Sequence, residues 1–361
     1  MHIERYNFQP IYFQLAERLK RDIAAGILSG QMPTEDELCK QHEVSRNTIR
    51  TTLKKLDSEG LIYRVKGKGT FVSPVQIKQK IILLLMSLPL EGHRNLHSLQ
   101  AGVSMRCHSE KIQVRIISDN HLTESIEEIK NNPKIQAGVL FLRHENISQE
   151  MIEQLEKSGI PYLLEGRNVI SNANYVDIDN KDAMRKIIDH LYGCGHRRYA
   201  MVSTNEQGTT HYREREEATT VHLRSYGIKL DDNCLGRVDI YEDNGKEQVA
   251  EIMTEFFSNP SPPTAIVCAS DTVAAWVQSW LKKHNIRIPE DVSVTGFDDM
   301  EFCKYLDPPL TTIRQDYFQM GRIAADSLLE IMNNYINRKL QIKVKLNLVE
   351  RESTGSVKSN A

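Results

Sequence analysis

A chain of 361 residues is long enough for two or three hydrophobic cores, since domains usually contain about 100 to 200 residues. Its 40% apolar and 26% charged residues are typical of a globular protein and exclude an intrinsically disordered chain. The net charge of −2 indicates no general affinity for polyanions, although residues 1–75, with 12 Lys or Arg against 9 Asp or Glu, show the mild positive excess expected of a DNA-binding segment.

The spacing of the cysteines and the hydropathy of the chain indicate whether the protein binds a metal or crosses a membrane. The six cysteines lie far apart and form neither a Cys-x-x-Cys pair nor a Cys/His cluster with zinc spacing, so we expect reduced thiols, no metal site and no cofactor. The first 20 residues lack the apolar core of a signal peptide. The longest apolar stretch, 81–90, is far shorter than the roughly 18 residues that span a bilayer. These features predict a cytoplasmic protein with no membrane partner.

Three helices are predicted within the first 60 residues. Apolar residues recur every four positions from residue 11 until Gly26, as in an amphipathic helix that ends at a glycine cap. Thr34 followed by Glu37 is a capping-box pattern that begins a short second helix. Ser45 can cap a third helix after a tight turn.

The outer face of the third helix carries Arg46, Asn47, Arg50 and Lys54. Two short helices with a cationic, amide-bearing second helix are typical of a helix-turn-helix that enters a major groove. Arginine can bind guanine edges there and asparagine can bind adenine. A plain three-helix packing unit with a solvated basic face is the alternative that the pattern leaves open.

A glycine-rich turn, Lys66-Gly67-Lys68-Gly69, joins two short predicted strands and is typical of a wing. Its glycines admit close approach to DNA, and its lysines can neutralise phosphates. A phosphate-binding loop is the competing interpretation of Gly67-Lys68-Gly69-Thr70. It is disfavoured because the upstream glycine is missing and no helix follows.

From Ile81 onward, apolar runs alternate with helical patterns. This order predicts parallel sheets with helices on both faces, and the number of units indicates two sheets, hence a two-lobed α/β domain. The predicted boundaries are a winged helix at 1–75, a linker at 76–80, and an effector-binding and dimerisation domain at 81–355 whose chain crosses between lobes near 190 and 316.

A small-molecule site is expected between the lobes, because ligands of open α/β sheets bind beyond the carboxyl ends of strands. Asp298 or Arg215 could hold two hydroxyls of a polyol, and Tyr317 could stack on its apolar face. Taken singly, each is more often a loop cap or a surface charge. The candidate effector-binding residues are Arg215, Ser270, Asp271, Asp298, Gln315 and Tyr317.

Five N-terminal motifs resemble, in order and spacing, the winged-helix domain of GntR-family regulators. They are Pro10-Ile-Tyr-Phe-Gln-Leu, Pro33-Thr-Glu-Asp-Glu-Leu, Val44-Ser-Arg-Asn-Thr-Ile-Arg50, Glu59-Gly-Leu-Ile and Lys68-Gly-Thr-Phe-Val72. The resemblance implies DNA contacts from the recognition helix and the wing, although Asp36 stands where the family often has a basic or polar residue. With the face described above, the predicted DNA-binding residues are Arg46, Asn47, Thr48, Arg50, Lys66, Gly67 and Lys68.

The later motifs resemble the effector domain of LacI-type regulators, which is itself similar to periplasmic sugar-binding proteins. They are Val176-Asp-Ile-Asp, Gly195-His-Arg-Arg-Tyr, Pro263-Thr-Ala-Ile-Val-Cys, Ser270-Asp271, Ile288-Pro-Glu-Asp-Val-Ser-Val-Thr-Gly-Phe-Asp-Asp299 and Pro308-Pro-Leu-Thr-Thr-Ile-Arg-Gln-Asp-Tyr317. The resemblance implies effector contacts at Arg215, Ser270, Asp298, Gln315 and Tyr317.

Three departures from the LacI-type pattern leave contacts open. The residues after Arg215 do not follow the usual pattern, which makes Arg213 a competing candidate, and position 270 is more commonly Asn. The loop at 88–98 lacks the usual aromatic residue, so the contacts of the first lobe are not assigned.

A GntR-type head on a LacI-type sensor is similar in plan to arabinose repressors. This resemblance implies a repressor that a monosaccharide releases from operator DNA, with a nucleoside or purine as the alternative effector. We expect a homodimer, because two winged helices related by a twofold axis can read two half-sites. An enzyme or a plain binding protein is a distant alternative, since the chain has no GxSxG, HExxH or GxGxxG motif.

Overall fold

The computed structural model describes residues 10–24, 26–73, 78–86, 95–143, 147–166, 170, 172–205, 211–240, 242–333 and 339–357. The chain forms two compact units, Met1–Gln79 and Lys80–Ala361, and each is described by itself. The predicted loop at 88–98 lies mostly outside the described residues, as do residues 76–77 of the predicted linker at 76–80.

The first unit is a winged helix-turn-helix, which confirms the predicted fold. Its elements are α1 (Ile11–Ala24), α2 (Glu35–His42), α3 (Arg46–Ser58), β1 (Ile62–Val65) and β2 (Gly69–Val72). The capping box forms as predicted: the Glu37 amide donates to Thr34 Oγ1 at 3.3 Å, and the Thr34 amide donates to Glu37 Oε2 at 2.8 Å. Leu15, Leu38 and Ile49 pack in the core between the helices.

The wing is an antiparallel hairpin in which Val65 lies opposite Gly69. The Lys68 amide donates to the Val65 carbonyl at 3.0 Å, which closes a four-residue turn. Gly67 has φ +76°, a conformation that side chains other than glycine rarely adopt. The glycine-rich sequence therefore determines the turn at the wing tip.

The second unit contains two six-stranded sheets, which confirms the predicted two-lobed α/β architecture. In lobe 1 the strand order is β13-β7-β6-β5-β3-β4, and in lobe 2 it is β14-β12-β11-β10-β8-β9. The described strand pairs are parallel, except that β14 runs antiparallel to β12. The strands are β3 (Gln79–Met86), β4 (Gln113–Ile117), β5 (Ile135–Leu142), β6 (Tyr162–Glu165), β7 (Tyr175–Ile178), β8 (Tyr199–Thr204), β9 (Leu235–Val238), β10 (Ala265–Cys268), β11 (Ser293–Asp298), β12 (Thr311–Arg314), β13 (Gln341–Val344) and β14 (Asn347–Val349).

Helices cover both faces of each sheet. They are α4 (Leu96–His108), α5 (Leu122–Asn131), α6 (Gln149–Ser158), α7 (Asn180–Gly193), α8 (His211–Ser225), α9 (Gly245–Ser258), α10 (Asp271–Lys283) and α11 (Tyr317–Met332). Short 3₁₀ turns lie at Asp119–His121, Asp232–Cys234 and Glu301–Tyr305. The inner strands β6, β8 and β10 are buried along their whole length, as their nearly continuous apolar sequences require.

Three chain segments connect the lobes. The chain leaves lobe 1 between β7 and α7, because α7 packs on α8 and β14 of lobe 2. It returns at residues 315–316, because α11 packs on α4 and β5 of lobe 1, and it crosses again between β13 and β14. The alternation of elements predicted crossings near 190 and 316 but gave no sign of the third, which depends on two short strands near the C-terminal end.

Two glycines set the contact between α4 and α11. A Cβ added at Gly321 would lie 2.0 Å from the Leu99 carbonyl oxygen, and one at Gly102 would lie 2.1 Å from the Phe318 carbonyl oxygen. Both obstacles are backbone atoms, which cannot rotate away. The helices must separate if either position carries a side chain.

Gly321→Ala is therefore expected to lower the free energy of unfolding of the second unit by about 2–3 kcal/mol, the cost of overpacking a close contact. Urea unfolding followed by circular dichroism measures the change. Gly193→Ala is the matched control, because a Cβ at the end of α7 meets nothing within 4 Å. Equal unfolding midpoints for the two variants would show that α4 and α11 are not held this closely.

Candidate functional site

The predicted DNA-binding residues lie in two groups on the first unit. Arg46, Asn47 and Arg50 are exposed near the beginning of α3. Thr48 is half-buried, and its hydroxyl lies 2.8 Å from Ser45 Oγ, which also caps α3 by accepting from the Thr48 amide. The exposed residues of the wing tip are Lys66, Gly67 and Lys68.

Sequence reasoning missed that acids of α2 hold both recognition arginines. Arg46 forms an ion pair with Asp36, and Arg50 Nε donates to Glu35 Oε2 at 2.9 Å. These pairs join residues of different helices, so no local pattern indicates them. The predicted DNA-binding face is therefore less cationic than the sequence of α3 alone suggests.

Arg215 on α8 is fixed at the centre of the second unit. Its side chain is 4% exposed, Nε donates to Asn180 Oδ1 at 3.0 Å, and Nη1 donates to the Ala269 carbonyl at 2.6 Å. The guanidinium carbon lies 3.5 Å from the centre of the Phe297 ring. By contrast, Arg213 pairs with Glu217 and its side chain is 82% exposed, so it does not reach this buried group.

Asp298 is the last residue of β11 and Asp299 follows it, and the two carboxylates have different partners. Asp298 Oδ1 accepts from the Tyr317 hydroxyl at 3.1 Å and lies 4.0 Å from Arg215 Nη2. Burial raises the pKa of Asp298, and Arg215 opposes that shift. Asp299 instead accepts from Arg314 and Arg351 at 2.6 and 2.5 Å, and these bonds anchor the loop.

Backbone strain marks the same turn. Asp298 has φ +118° and Asp299 has φ +56°, both unfavourable for residues other than glycine. Such strain persists only where the surroundings hold it, and it is common at binding sites. The anchored loop thus presents the Asp298 carboxylate towards Arg215 and Tyr317.

Ser270 and Asp271 act within lobe 2. Ser270 Oγ caps α10 by accepting from the Val273 amide at 3.4 Å. Asp271 accepts from Thr312 Oγ1 at 2.6 Å and from the Met300 amide at 2.7 Å. Burial and the nearby Asp298 raise the pKa of Asp271 to about 6. Asp271 therefore ties the turn after Asp298 to α10 and β12.

Four side chains at the strand ends and crossings have buried polar atoms that form no hydrogen bond in the part of the chain that the structure describes. These atoms are Nε and Nη2 of Arg143, both carboxylate oxygens of Glu165, Oγ1 of Thr204 and both amide atoms of Gln315. Gln315 is connected to the site through its backbone amide, which donates to the Asp298 carbonyl at 3.2 Å.

Arg143 and Glu165 bring lobe 1 into the site, and the sequence analysis did not select them. Arg143 Nε lies 3.9 Å from Glu165 Oε2, and the Arg143 guanidinium carbon lies 5.2 Å from the centre of the Tyr317 ring. Burial raises the pKa of Glu165 to about 7, although Arg143 lowers it. Both residues stand at the carboxyl ends of parallel strands, β5 and β6, which is the signal that could have found them.

An acidic group at the crossing segments contains Asp177, His211 and Glu214, whose ligand atoms lie within 4.8 Å of one another. Lys343 Nζ donates to Asp177 Oδ2 at 2.7 Å and lies 3.8 Å from Glu214 Oε2. The ammonium group thus pairs with both carboxylates of this group. Lys343 gives these acids a cationic partner from the protein itself.

Asn180 joins this group to Arg215. Burial lowers the pKa of His211 to about 4, so its ring is neutral, and Nε2 must donate to the Gly166 carbonyl, which can only accept. His211 Nδ1 therefore accepts from Asn180 Nδ2 at 3.2 Å, which also donates to Glu214 Oε2 at 2.8 Å. Since Asn180 Oδ1 accepts from Arg215, the amide ties the buried arginine to His211, whose ring contacts Gly166 of lobe 1.

Two sequence profiles match the chain. The profile described as "Bacterial regulatory proteins, gntR family" matches residues 11–72, and the one described as "Periplasmic binding protein-like domain" matches residues 188–354. The arabinose metabolism transcriptional repressor of Geobacillus stearothermophilus is 27% identical to this chain over an alignment of 385 positions. The alignment covers 96% of this chain and 98% of that protein.

Solved structures share the fold. The complex of the transcriptional regulator CelR with cellobiose has a TM-score of 0.60 and 20% identity and covers 89% of this chain and 100% of that chain. The lac repressor dimer bound to operator and the anti-inducer ONPF has a TM-score of 0.61 and 20% identity and covers 77% and 95% of the two chains. Within the described parts of the chain, no helix has the length and apolar character needed to cross a membrane.

The matches agree with the geometry of both units. The first profile spans α1 to β2, and the second spans lobe 2 and the last two crossings between the lobes. Both predicted resemblances are confirmed. The chain therefore has the plan of a transcriptional regulator, in which residues 11–72 match the GntR-family DNA-binding domain and residues 188–354 match the periplasmic binding protein-like domain.

Proposed function

We propose that this regulator represses a carbohydrate-utilisation operon and that a monosaccharide bound between the two lobes releases it from operator DNA. The observation that carries the proposal is the set of buried polar atoms, contributed by both lobes, that form no hydrogen bond with any of the described residues. Each such group costs about 1–3 kcal/mol unless something hydrogen-bonds to it. A ligand between the lobes supplies the missing partners.

The chemistry of the unpartnered groups favours a neutral polyol. Glu165 accepts when ionised, Arg143 donates, and the Gln315 amide does both, so the ligand must offer donors and acceptors side by side. Sugar hydroxyls do so, and Asp298 with Arg215 extends the same pattern into lobe 2. The Arg215 guanidinium already covers one face of Phe297, which favours hydroxyl recognition over stacking of a nucleobase.

Relatives support a sugar effector. The Geobacillus stearothermophilus relative is named for arabinose metabolism, and the CelR structure is a cellobiose complex. We infer that this chain senses a pentose or another monosaccharide at Arg143, Glu165, Arg215, Asp298, Gln315 and Tyr317, while Ser270 and Asp271 support the loops around them. A nucleoside or purine is the alternative effector.

We further propose that the DNA-bound form is a homodimer that acts in the cytoplasm. Two winged helices related by a twofold axis would read half-sites about 10 bp apart. The structurally similar lac repressor was solved as a dimer on its operator, which supports this arrangement. The DNA-contacting residues would be Arg46, Asn47, Thr48, Arg50, Lys66, Gly67 and Lys68.

Release follows if the effector binds one lobe arrangement better than the other. A ligand that contacts Arg143 and Glu165 in lobe 1 and Asp298 in lobe 2 favours closure, because the open arrangement separates these groups. If closure disfavours the spacing of the heads, operator affinity falls by the coupling free energy, which is typically about 1–3 kcal/mol.

The effector proposal is tested by thermal unfolding against a panel of pentoses, hexoses, cellobiose, sugar phosphates, nucleosides and purines. We expect a monosaccharide to raise the melting temperature and to release operator DNA in an electrophoretic mobility shift. The operator is first selected from a random duplex library with the wild-type protein. A purine or nucleoside that does both would replace the sugar.

Asp298→Ala is expected to abolish the response to that sugar and to leave operator binding intact, because the variant removes the carboxylate of lobe 2. Asp231→Ala is the matched control, since Asp231 is 60% exposed and precedes β9, at the opposite end of the sheet from the site. An unchanged sugar response in Asp298→Ala would remove this residue from the site.

Glu165 gives the stability a pH dependence of defined sign. Its pKa is about 7 in the folded protein and 4.5 without burial, so the stability tied to its proton is complete below about pH 4.5 and is lost as the pH rises to about 7. Glu165→Gln stays neutral and keeps that stability. Without sugar, we expect equal urea unfolding at pH 4.5 and a Glu165→Gln variant about 3 kcal/mol more stable than wild type at pH 8.

Glu150→Gln is the control for this series, since Glu150 is exposed on α6 of the same lobe and should follow the wild-type curve. Parallel wild-type and Glu165→Gln curves between pH 4.5 and 8 would show that the Glu165 carboxyl is not buried away from partners.

Arg50→Ala is expected to weaken operator binding by about 1–3 kcal/mol and to leave sugar binding unchanged, because it removes one contact of the recognition helix. Fluorescence anisotropy with the selected duplex measures the loss. Arg21→Ala removes the same charge from an exposed position on α1 and is the matched control. Normal operator affinity in Arg50→Ala would contradict the recognition-helix assignment.

A further inference from the structure

The recognition helix begins with an arginine that is already engaged. Arg46 is the first residue of α3, and its guanidinium pairs with the Asp36 carboxylate of α2. Both side chains are mostly exposed, at 56% and 67%. The pair therefore stands on the surface of the helix-turn-helix, where it would meet DNA.

The fold holds Asp36 in this position. The capping box of Thr34 and Glu37 fixes the first turn of α2, in which Asp36 is the second residue. A carboxylate is favoured there by the helix dipole, whereas Arg46 lies at the helix beginning that disfavours a cation. Asp36 therefore offsets the electrostatic cost of Arg46. The ion pair joins the N-terminal turn of α2 to the N-terminal turn of α3.

The pair meets the DNA backbone and the base edges differently. A phosphate attracts Arg46 but repels Asp36, so the pair gains less from the backbone than a free arginine would. In the major groove, arginine donates to guanine and aspartate accepts from the cytosine amino group. A base edge can therefore satisfy both side chains, whereas a phosphate satisfies only one of them.

We propose that Asp36 is a specificity-determining residue, which holds Arg46 off the phosphate backbone and lowers affinity for DNA of any sequence more than affinity for the operator. The inference rests on the proposed role of α3 in reading DNA. Sequence-independent affinity comes from phosphate contacts, so a residue that restrains one arginine acts mainly on that part of the binding.

The expected size follows from counterion release. One additional phosphate contact steepens the dependence of log K on log salt concentration by about 0.9, which corresponds to about eightfold in affinity at 0.1 M salt. Asp36→Asn keeps the shape and removes the charge, so it frees Arg46 for one such contact.

The experiment compares Asp36→Asn with Asp57→Asn, which removes the same charge from an exposed position in the last turn of α3. Fluorescence anisotropy with a 30-bp mixed-sequence duplex, titrated in NaCl, gives affinity and salt slope. The duplex selected by the wild type from the random library gives operator affinity. Melting temperatures establish that both variants fold.

We expect Asp36→Asn to bind the mixed-sequence duplex about 5- to 10-fold more tightly, with a slope steeper by about one, and to gain less on the selected duplex. Asp57→Asn should change either affinity by no more than about twofold. Selection repeated with Asp36→Asn should return a less restricted set of sequences.

Equal gains in the two variants would overturn the inference, because net charge alone would then explain them. A weaker mixed-sequence affinity in Asp36→Asn would also overturn it. If Arg50→Ala loses operator affinity while Asp36→Asn matches Asp57→Asn, the recognition-helix assignment stands and only the role of Asp36 fails. If no protein binds any duplex, the assignment of α3 fails, and the inference with it.

Discussion

The amide of Asn180 is the interaction on which the effector domain depends. Asn180 Nδ2 donates to His211 Nδ1 and to Glu214 Oε2, and Asn180 Oδ1 accepts from Arg215 Nε. Both N–H donors and the oxygen of the amide are therefore engaged within the protein. His211 in turn donates to the Gly166 carbonyl at the end of β6. A change in the angle between the lobes must therefore displace the bond between His211 and Gly166, and His211 lies on the same helix as Arg215.

Some buried polar side chains in the same region are fully hydrogen-bonded, whereas others form no hydrogen bond with the described residues. Asp299 and Asp271 have both oxygens engaged, while the side chains of Glu165 and Gln315 form no hydrogen bond with the described residues. Buried polar groups are usually hydrogen-bonded, so this contrast is the basis of the proposed effector site. In that proposal, the two fully bonded acids hold the loops in place, and the groups without hydrogen bonds would bind the polyol.

The sequence predicted those structural features that depend on residues close together along the chain. The capping box at Thr34, the glycine turn at Gly67 and the strand-helix alternation were all found, because each depends on neighbouring residues. The sequence also pointed to Arg215 and Asp298, which the structure brings within 4.0 Å of one another. It missed Arg143 and Glu165, although both end parallel strands, because only the strand ends of lobe 2 carried a familiar motif. Pairings between distant segments, such as Lys343 with Asp177 or Asp36 with Arg46, have no signature along the chain.

The DNA affinity of the first unit and the effector response of the second unit are linked thermodynamically. An effector that shifts operator affinity by about 1–3 kcal/mol changes occupancy only if the released protein does not remain on neighbouring DNA of other sequence. Sequence-independent affinity grows with every free cation on the recognition surface, and here Arg46 and Arg50 are both paired with acids of α2. In the proposed mechanism, a weakly cationic α3 would let a modest change in the effector domain act as a switch, because contacts to the DNA backbone would not compensate for the loss of operator contacts.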